Sequence, residues 1–384
     1  MKIGFYSCMS GMPWGGSEEL WWRAARRLQE QGHQIFVNYK WWPQTARQLE
    51  ELEQHGGQLW LRNPPQSFLQ SRTATIKRWF SLNGTGHSWL DQTQPDCVLV
   101  TLGYHPDQVP VADECLQRGI PYGINVQCAS NFFFIHSDLL ERFRTWYRGA
   151  EKVLFVSPEN QHKVETNIAT HLDNAEIVAN PFNVDYRADP AWPDTEPVFR
   201  VACVGRIHFQ SKGQDLIVDV MKQAKWRERP IQITFYGHDQ GNEKQLIDLI
   251  KLHGLEDQLK IGGFKDRVED IWEENHALLL PSRYEGAPLV VIEAMLCQRI
   301  AITTDIGRNR ELIDDGESGF IADGAIIGLL DQAMERAWTN RQRWREMGKL
   351  AGQHIRQRYP QDPIGEFADR ILAIAQSQAA ASTG

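Results

Sequence analysis

The segment Ala277-Leu278-Leu279-Leu280-Pro281-Ser282-Arg283-Tyr284-Glu285-Gly286-Ala287-Pro288-Leu289-Val290-Val291-Ile292-Glu293-Ala294-Met295 contains the unit from which the rest of the chain can be read. Four apolar residues make a short strand. Turn-forming residues follow from Pro281, and an apolar helix over Leu289–Cys297 begins where the turn ends. Strand, turn and helix in that order make the repeating unit of a parallel, doubly wound sheet. Such sheets take their ligands beyond the carboxyl ends of the strands, where the next helix offers unpaired amides and a partial positive charge. Glu285 precedes the helix and Glu293 lies inside it, so the two carboxylates can meet one hydroxyl-rich ligand from two ends. The same spacing also fits two solvated glutamates.

The unit recurs in both directions. Upstream, strands are expected at Lys2–Cys8, Gln34–Tyr39, Asp96–Leu102, Tyr122–Gln127, Val153–Ser157 and Ile177–Ala179, separated by helical stretches such as Ser17–Gln31. Residues Asn180–Asp194, rich in Pro, Asn and Asp, read as a linker. The alternation then restarts with strands at Phe199–Val204, Ile231–Tyr236, Lys260–Gly262, Ala277–Leu280 and Ile300–Thr303 and a helix at Gln214–Lys225. Two tandem α/β domains follow, residues 1–186 and 187–358, with a last helix near Ile364–Ala375 in a terminal segment 359–384 that ends in a polar tail. Asn63–Leu90 does not fit the alternation; it reads equally as a substrate-contacting insertion and as a surface excursion.

A length of 384 residues suits two cores rather than one, and 42% hydrophobic with 23% charged residues is ordinary globular composition. The net charge of -8 argues against nucleic acid as a main partner, since a phosphate-tracking surface carries excess Lys and Arg. The six cysteines form no C-x-x-C pair and read as reduced core residues. Met1–Tyr6 reads as a strand rather than a signal peptide, and no apolar run approaches the roughly 18–20 residues of a membrane span, so a cytoplasmic location is expected.

Val204-Gly205-Arg206-Ile207-His208-Phe209-Gln210-Ser211-Lys212-Gly213 follows the first strand of the second domain. Arg206 and Lys212 flank a turn at that strand's carboxyl end, where two cations can hold a pyrophosphate or simply face solvent. No two aspartates are spaced D-x-D and no histidines stand at i, i+4, so no metal is expected under a diphosphate. Near the start, Met12-Pro13-Trp14-Gly15-Gly16-Ser17-Glu18 joins a strand to its helix, and Gly15 and Gly16 allow backbone amides to approach a ligand. It is not G-x-G-x-x-G, and the second strand ends in Asn38-Tyr39-Lys40 without an acid, which disfavours a nicotinamide dehydrogenase.

Together these residues resemble the retaining glycosyltransferases of family 4, which have the two-domain GT-B fold, most strongly from Arg200 to Ala322. Glu285 and Glu293 match the E-x7-E signature, Gly205-Arg206 and Lys212-Gly213 the G-R…K-G element, and Gly15-Gly16-Ser17-Glu18 the G-G-x-E loop. Asp305–Ile313 and Asp315–Phe320 are similar to the family's downstream segments. The resemblance implies two Rossmann-like domains facing a central cleft, with the C-terminal helix crossing back to the first. It implies transfer of a hexose from a UDP- or GDP-sugar to a hydroxyl on a carbohydrate, lipid-linked or small-molecule acceptor, with neither metal nor other cofactor. Glu285 would bind donor hydroxyls and favour charge at the anomeric carbon, Glu293 would bind the ribose, and Arg206 and Lys212 would stabilise the departing diphosphate. Gly15, Gly16, Gly286, Pro288, Leu289, Val290 and Phe264 would complete the donor site.

Many relatives have a His where this chain has Gln127; either Gln127 makes the sugar contact, His105 contributes, or the activity is altered. Trp14, Trp21, Trp22, Trp41 and Trp42 suit acceptor stacking, a weak membrane contact through the first domain, or core packing. The competing readings are a GT-B epimerase or phosphorylase and a non-catalytic nucleotide-sugar-binding protein. No pyridoxal-phosphate lysine motif supports a phosphorylase.

Overall fold

The computed structural model describes residues 1–64, 79–81, 87–194 and 198–381. The chain divides into two compact units, Met1–Pro181 with Asp362–Gly384, and Phe182–Gln361.

In the first unit the strands are β1 (Lys2–Ser7), β2 (Gln34–Lys40), β3 (Gln58–Arg62), β4 (Trp79–Ser81), β5 (Cys97–Leu102), β6 (Tyr122–Val126), β7 (Lys152–Phe155) and β8 (Ala175–Ile177). They form one parallel sheet in the order β4-β3-β2-β1-β5-β6-β7-β8. Strand order therefore reverses between β1 and β5, the switch point of a doubly wound sheet. β1, β5 and β6 are buried along nearly their whole length, as expected of strands covered on both faces. The helix Glu19–Glu30 buries Leu20, Trp21, Ala24, Ala25 and Leu28, an i, i+4, i+8 face. The C-terminal helix Pro363–Ala381 packs on it, with Arg27 and Asp362 paired at 2.9 Å beside the contact.

Of Asn63–Leu90, residues 65–78 and 82–86 lie outside the described set. The remainder is partly sheet: Trp79–Ser81 pairs with β3 as the edge strand. The last helix begins at Pro363 and continues to Ala381, through part of the stretch whose composition suggests a tail. Proline is tolerated in a first helical turn, so Pro363 opens the helix it was expected to precede.

The second unit holds β9 (Phe199–Val204), β10 (Ile231–Tyr236), β11 (Leu259–Gly263), β12 (Ala277–Leu280), β13 (Ile300–Thr304) and β14 (Gly319–Ala322). Their order is β11-β10-β9-β12-β13-β14, all parallel, with the switch point between β9 and β12. The expected helix from Gln214 to Lys225 is interrupted: one helix covers Gln214–Met221 and a short turn Ala224–Arg227 follows, sealing Trp226 into the core. The six cysteines are unpaired; Cys97, Cys115, Cys203 and Cys297 are buried, Cys8 and Cys128 half-buried. Among the described residues no helix is long and apolar enough to cross a membrane.

Candidate active site

The two loops with the most chemistry meet at the second unit's switch point. The loop after β9 carries Arg206 and Lys212, and the loop after β12 carries Ser282 and Glu285. Glycines mark where the backbones close on one another. A Cβ at Gly213, with φ +68°, would stand 2.2 Å from Pro281 O, and one at Gly237, with φ +143°, would stand 2.1 Å from Gly205 O. At Gly307, φ +64°, it would stand 2.3 Å from Gly286 O. No L side chain fits any of these three crossings.

Lys212 and Glu285 form an ion pair across the switch point, with each side chain 14% exposed. Ser282 Oγ donates to the same carboxylate oxygen at 2.8 Å. Lys212 lies over Gly205, whose absent Cβ would be 3.3 Å from its Cε. Arg206 is exposed at the same mouth. Arg283 is committed elsewhere, to Asp215 through two bonds of 2.8 and 2.7 Å. His208 is half-buried, with Nδ1 2.8 Å from Ser211 Oγ. Burial, then the charges of Arg206 and Lys212, hold its pKa below the ordinary histidine value.

The helix Leu289–Leu296 starts at Pro288, whose carbonyl accepts from Val291 N at 3.2 Å. It is buried on nearly every side, Leu289 alone being half-buried. Glu293 is 3% exposed. Its Oε1 accepts from Asn183 N at 3.0 Å and from Asn183 Nδ2 at 2.7 Å. Neither carboxylate of the Glu285/Glu293 pair is a solvated surface group. Phe264 is 55% exposed and its ring stacks on His238 with centroids 4.0 Å apart and planes at 14°.

The first unit has its own cluster at its switch point. Gly15 is extended and Gly16 opens a short 3₁₀ turn to Glu18; a Cβ at Gly16 would meet nothing within 4 Å. Glu18 is buried and accepts from Ser7 Oγ at 2.8 Å. Burial pushes its carboxyl up to about 7, against the lowering effect of the Ser7 bond. Gln127, 5% exposed, lies just beyond β6 and donates Nε2 to Asn125 Oδ1 at 3.0 Å. His105 is its backbone neighbour, donating N to Cys128 O at 2.8 Å. The His105 ring packs edge-on to Phe143 and Tyr147, with Nδ1 2.9 Å from Tyr147 Oη, and burial pushes its pKa down to about 3. Trp21 is a core residue against Phe5, while Trp14 and Trp22 are half-buried beside it.

Residues 185–354 match the family model of glycosyl transferases group 1. The matched residues lie within the second unit. Among curated relatives, the D-inositol 3-phosphate glycosyltransferase of Gordonia bronchialis is 26% identical over 167 residues, 41% of this chain and 36% of that protein. The alpha-D-kanosaminyltransferase of Streptomyces kanamyceticus is 29% identical over 145 residues, 37% of this chain and 36% of that protein. The chain thus spans about a third of the length of the curated relatives it matches. The crystal structure of Anabaena Alr3699/HepE in complex with UDP and glucose matches over 100% of this chain and 99% of that chain, with TM-score 0.72 and 18% identity. The S. aureus TarM structure matches over 98% and 99%, with TM-score 0.73 and 12% identity. At such identities the likeness establishes the fold, two Rossmann-like α/β units of GT-B class. Arg206, Lys212, Glu285 and Glu293 all fall inside the matched residues.

Ser282, His208 and Asn183 were not singled out by sequence reasoning. Ser282 precedes Glu285 by three residues and could have been found from the turn; Asn183 meets Glu293 across 110 residues and had no local signal.

Proposed function

We propose that this protein is a retaining glycosyltransferase of family 4 that transfers a hexose from a UDP- or GDP-sugar to a hydroxyl acceptor without a metal ion. The observation that carries the reading is the Lys212–Glu285–Ser282 cluster at the switch point of the second unit. A lysine ammonium has three N–H donors, so Lys212 can keep its bond to Glu285 and still reach a phosphate oxygen. Arg206 adds a second cation, and the first amides of the Leu289 helix add dipoles of the same sign. Glu285, oriented by Ser282 and Lys212, accepts hydrogen bonds from donor hydroxyls and favours positive charge at the anomeric carbon. Glu293 takes the ribose, and Phe264, stacked on His238, offers a face to the base. In the first unit, Gly15, Gly16 and Gln127 are assigned to ligand contacts at that unit's strand ends, and its solvent side to the acceptor. His105 is left to packing.

In the reaction, the acceptor oxygen bonds to the anomeric carbon on the face from which the diphosphate leaves. The bond from that carbon to the phosphate oxygen breaks and its electron pair stays on the diphosphate. The acceptor's proton passes to that oxygen, so placement and electrostatics serve in place of a side-chain base. Lys212→Ala should lower turnover roughly 10²–10³-fold, the usual cost of one group that stabilises transition-state charge. The assay is sugar transfer measured by product mass in the presence of EDTA. Near-wild-type turnover in the variant would remove Lys212 from the phosphate site, and loss of wild-type activity restored by Mg²⁺ would remove metal independence. Nucleotide-sugar binding with no transferred product would favour a binding protein instead.

A weak membrane contact through the first unit belongs to the same proposal. Phe132, Phe133 and Phe134 are 61%, 50% and 66% exposed in the loop that follows Gln127.

A further inference from the structure

The segment after the crossing between units is not a slack linker. From Asn183 to Ala191 it is fastened to the body of the second unit. Arg356 donates Nε to Tyr186 O at 2.8 Å and Nη2 to Ala188 O at 3.2 Å and Leu296 O at 2.8 Å. Arg299, 1% exposed, donates Nη2 to Ala191 O at 2.7 Å and Nη1 to Cys297 O at 2.8 Å. Gln298 Nε2 donates to Asp189 Oδ1 at 2.7 Å. Leu296 and Cys297 are the carbonyl end of the Glu293 helix, so both guanidiniums satisfy that end and hold the strap to it. At the strap's other end stands Asn183, whose two donors converge on Glu293 Oε1.

We propose that Asn183 is a positioning residue for the donor: it fixes the rotation of the Glu293 carboxylate, and with it the ribose hydroxyl contact. This rests on the reading of Glu293 as the ribose ligand. A carboxylate buried to 3% exposure needs directed donors in place of water. Two donors on one oxygen set the plane of the group and the direction in which the other oxygen points. A merely structural role would require satisfaction of Glu293 but would leave ribose recognition unchanged.

The test compares binding of UDP and GDP, and of the 2′,3′-dideoxy form of whichever binds, to wild type, Asn183→Ala and Asn183→Ser. Wild type should prefer the ribonucleotide. Asn183→Ala should lose about 10–100-fold of ribonucleotide affinity, the worth of a charge-assisted hydrogen bond, and bind the dideoxy form as wild type does. In turnover the donor KM should rise while kcat at saturation holds. Asn183→Ser, which keeps a short donor, should recover part of the preference, and it gives the reading if the alanine variant does not fold. A folded variant with the full wild-type ratio between the two nucleotides would overturn the role of Asn183. Wild type that binds UDP or GDP without preferring the ribose would instead overturn the role of Glu293. Wild type that binds neither would overturn the donor reading itself.

Discussion

Glu18 is a carboxyl group whose protonation is coupled to folding. Its carboxyl has 2% exposure in the turn after β1, and burial raises its pKa from 4.5 to about 7. The folded protein therefore holds a proton that the unfolded chain has released between those two values. Stability falls as pH rises through that window, by about 3 kcal/mol at most. Thermal melts from pH 4.5 to 8 should show this decline in wild type and a flatter profile in Glu18→Gln; equal slopes in the two proteins would show that Glu18 does not titrate there. At this scale the sequence was informative about residue type and silent about partners. Glu285 and Lys212 were each recognisable at a strand end, but their pairing spans 73 residues. The packing of Phe143 and Tyr147 around the His105 ring is likewise something adjacency in topology does not show.

Among elements, the Leu289–Leu296 helix was found from its place after a strand and turn rather than from propensity. Its Val290-Val291-Ile292 run favours a strand, and the helix holds because its apolar residues are buried on nearly all sides. β3, β4 and β14 were missed because they are short or lie at sheet edges, where the apolar run is too brief to register. The loop of three phenylalanines is an element of another kind. Asn167 clasps it, donating Nδ2 to Phe133 O and accepting from Ile135 N, both at 2.8 Å. The backbone is thus fixed while the three side chains stay at least half exposed, Phe133 edge-on to Tyr104. Each phenylalanine is worth about 1.5–3 kcal/mol when fully buried, enough for three to give reversible attachment to a bilayer. Wild type should co-sediment with phosphatidylcholine vesicles, and Phe132→Ser/Phe133→Ser/Phe134→Ser should stay in the supernatant with its melting temperature unchanged. Equal sedimentation of the two, or none of either, would remove the membrane contact.

For the whole molecule, the alternation of apolar runs and amphipathic stretches announced two α/β units, and the sheets are built that way. What local pattern could not reveal was strand order. It is the reversal between β9 and β12 that brings the Arg206–Lys212 loop to the Ser282–Glu285 loop, and non-local order of that kind leaves no periodic trace. The central claim is that this convergence binds a nucleoside-diphosphate sugar. The most direct measurement is the melting temperature of wild type and Lys212→Ala against UDP-, GDP- and ADP-sugars. A ligand at 100 times its Kd adds about 2.7 kcal/mol to the state that binds it. The account predicts a rise of several degrees for wild type with a UDP- or GDP-sugar and a much smaller one for the variant. No shift with any nucleotide sugar at millimolar concentration, or the same shift in both proteins, would contradict it.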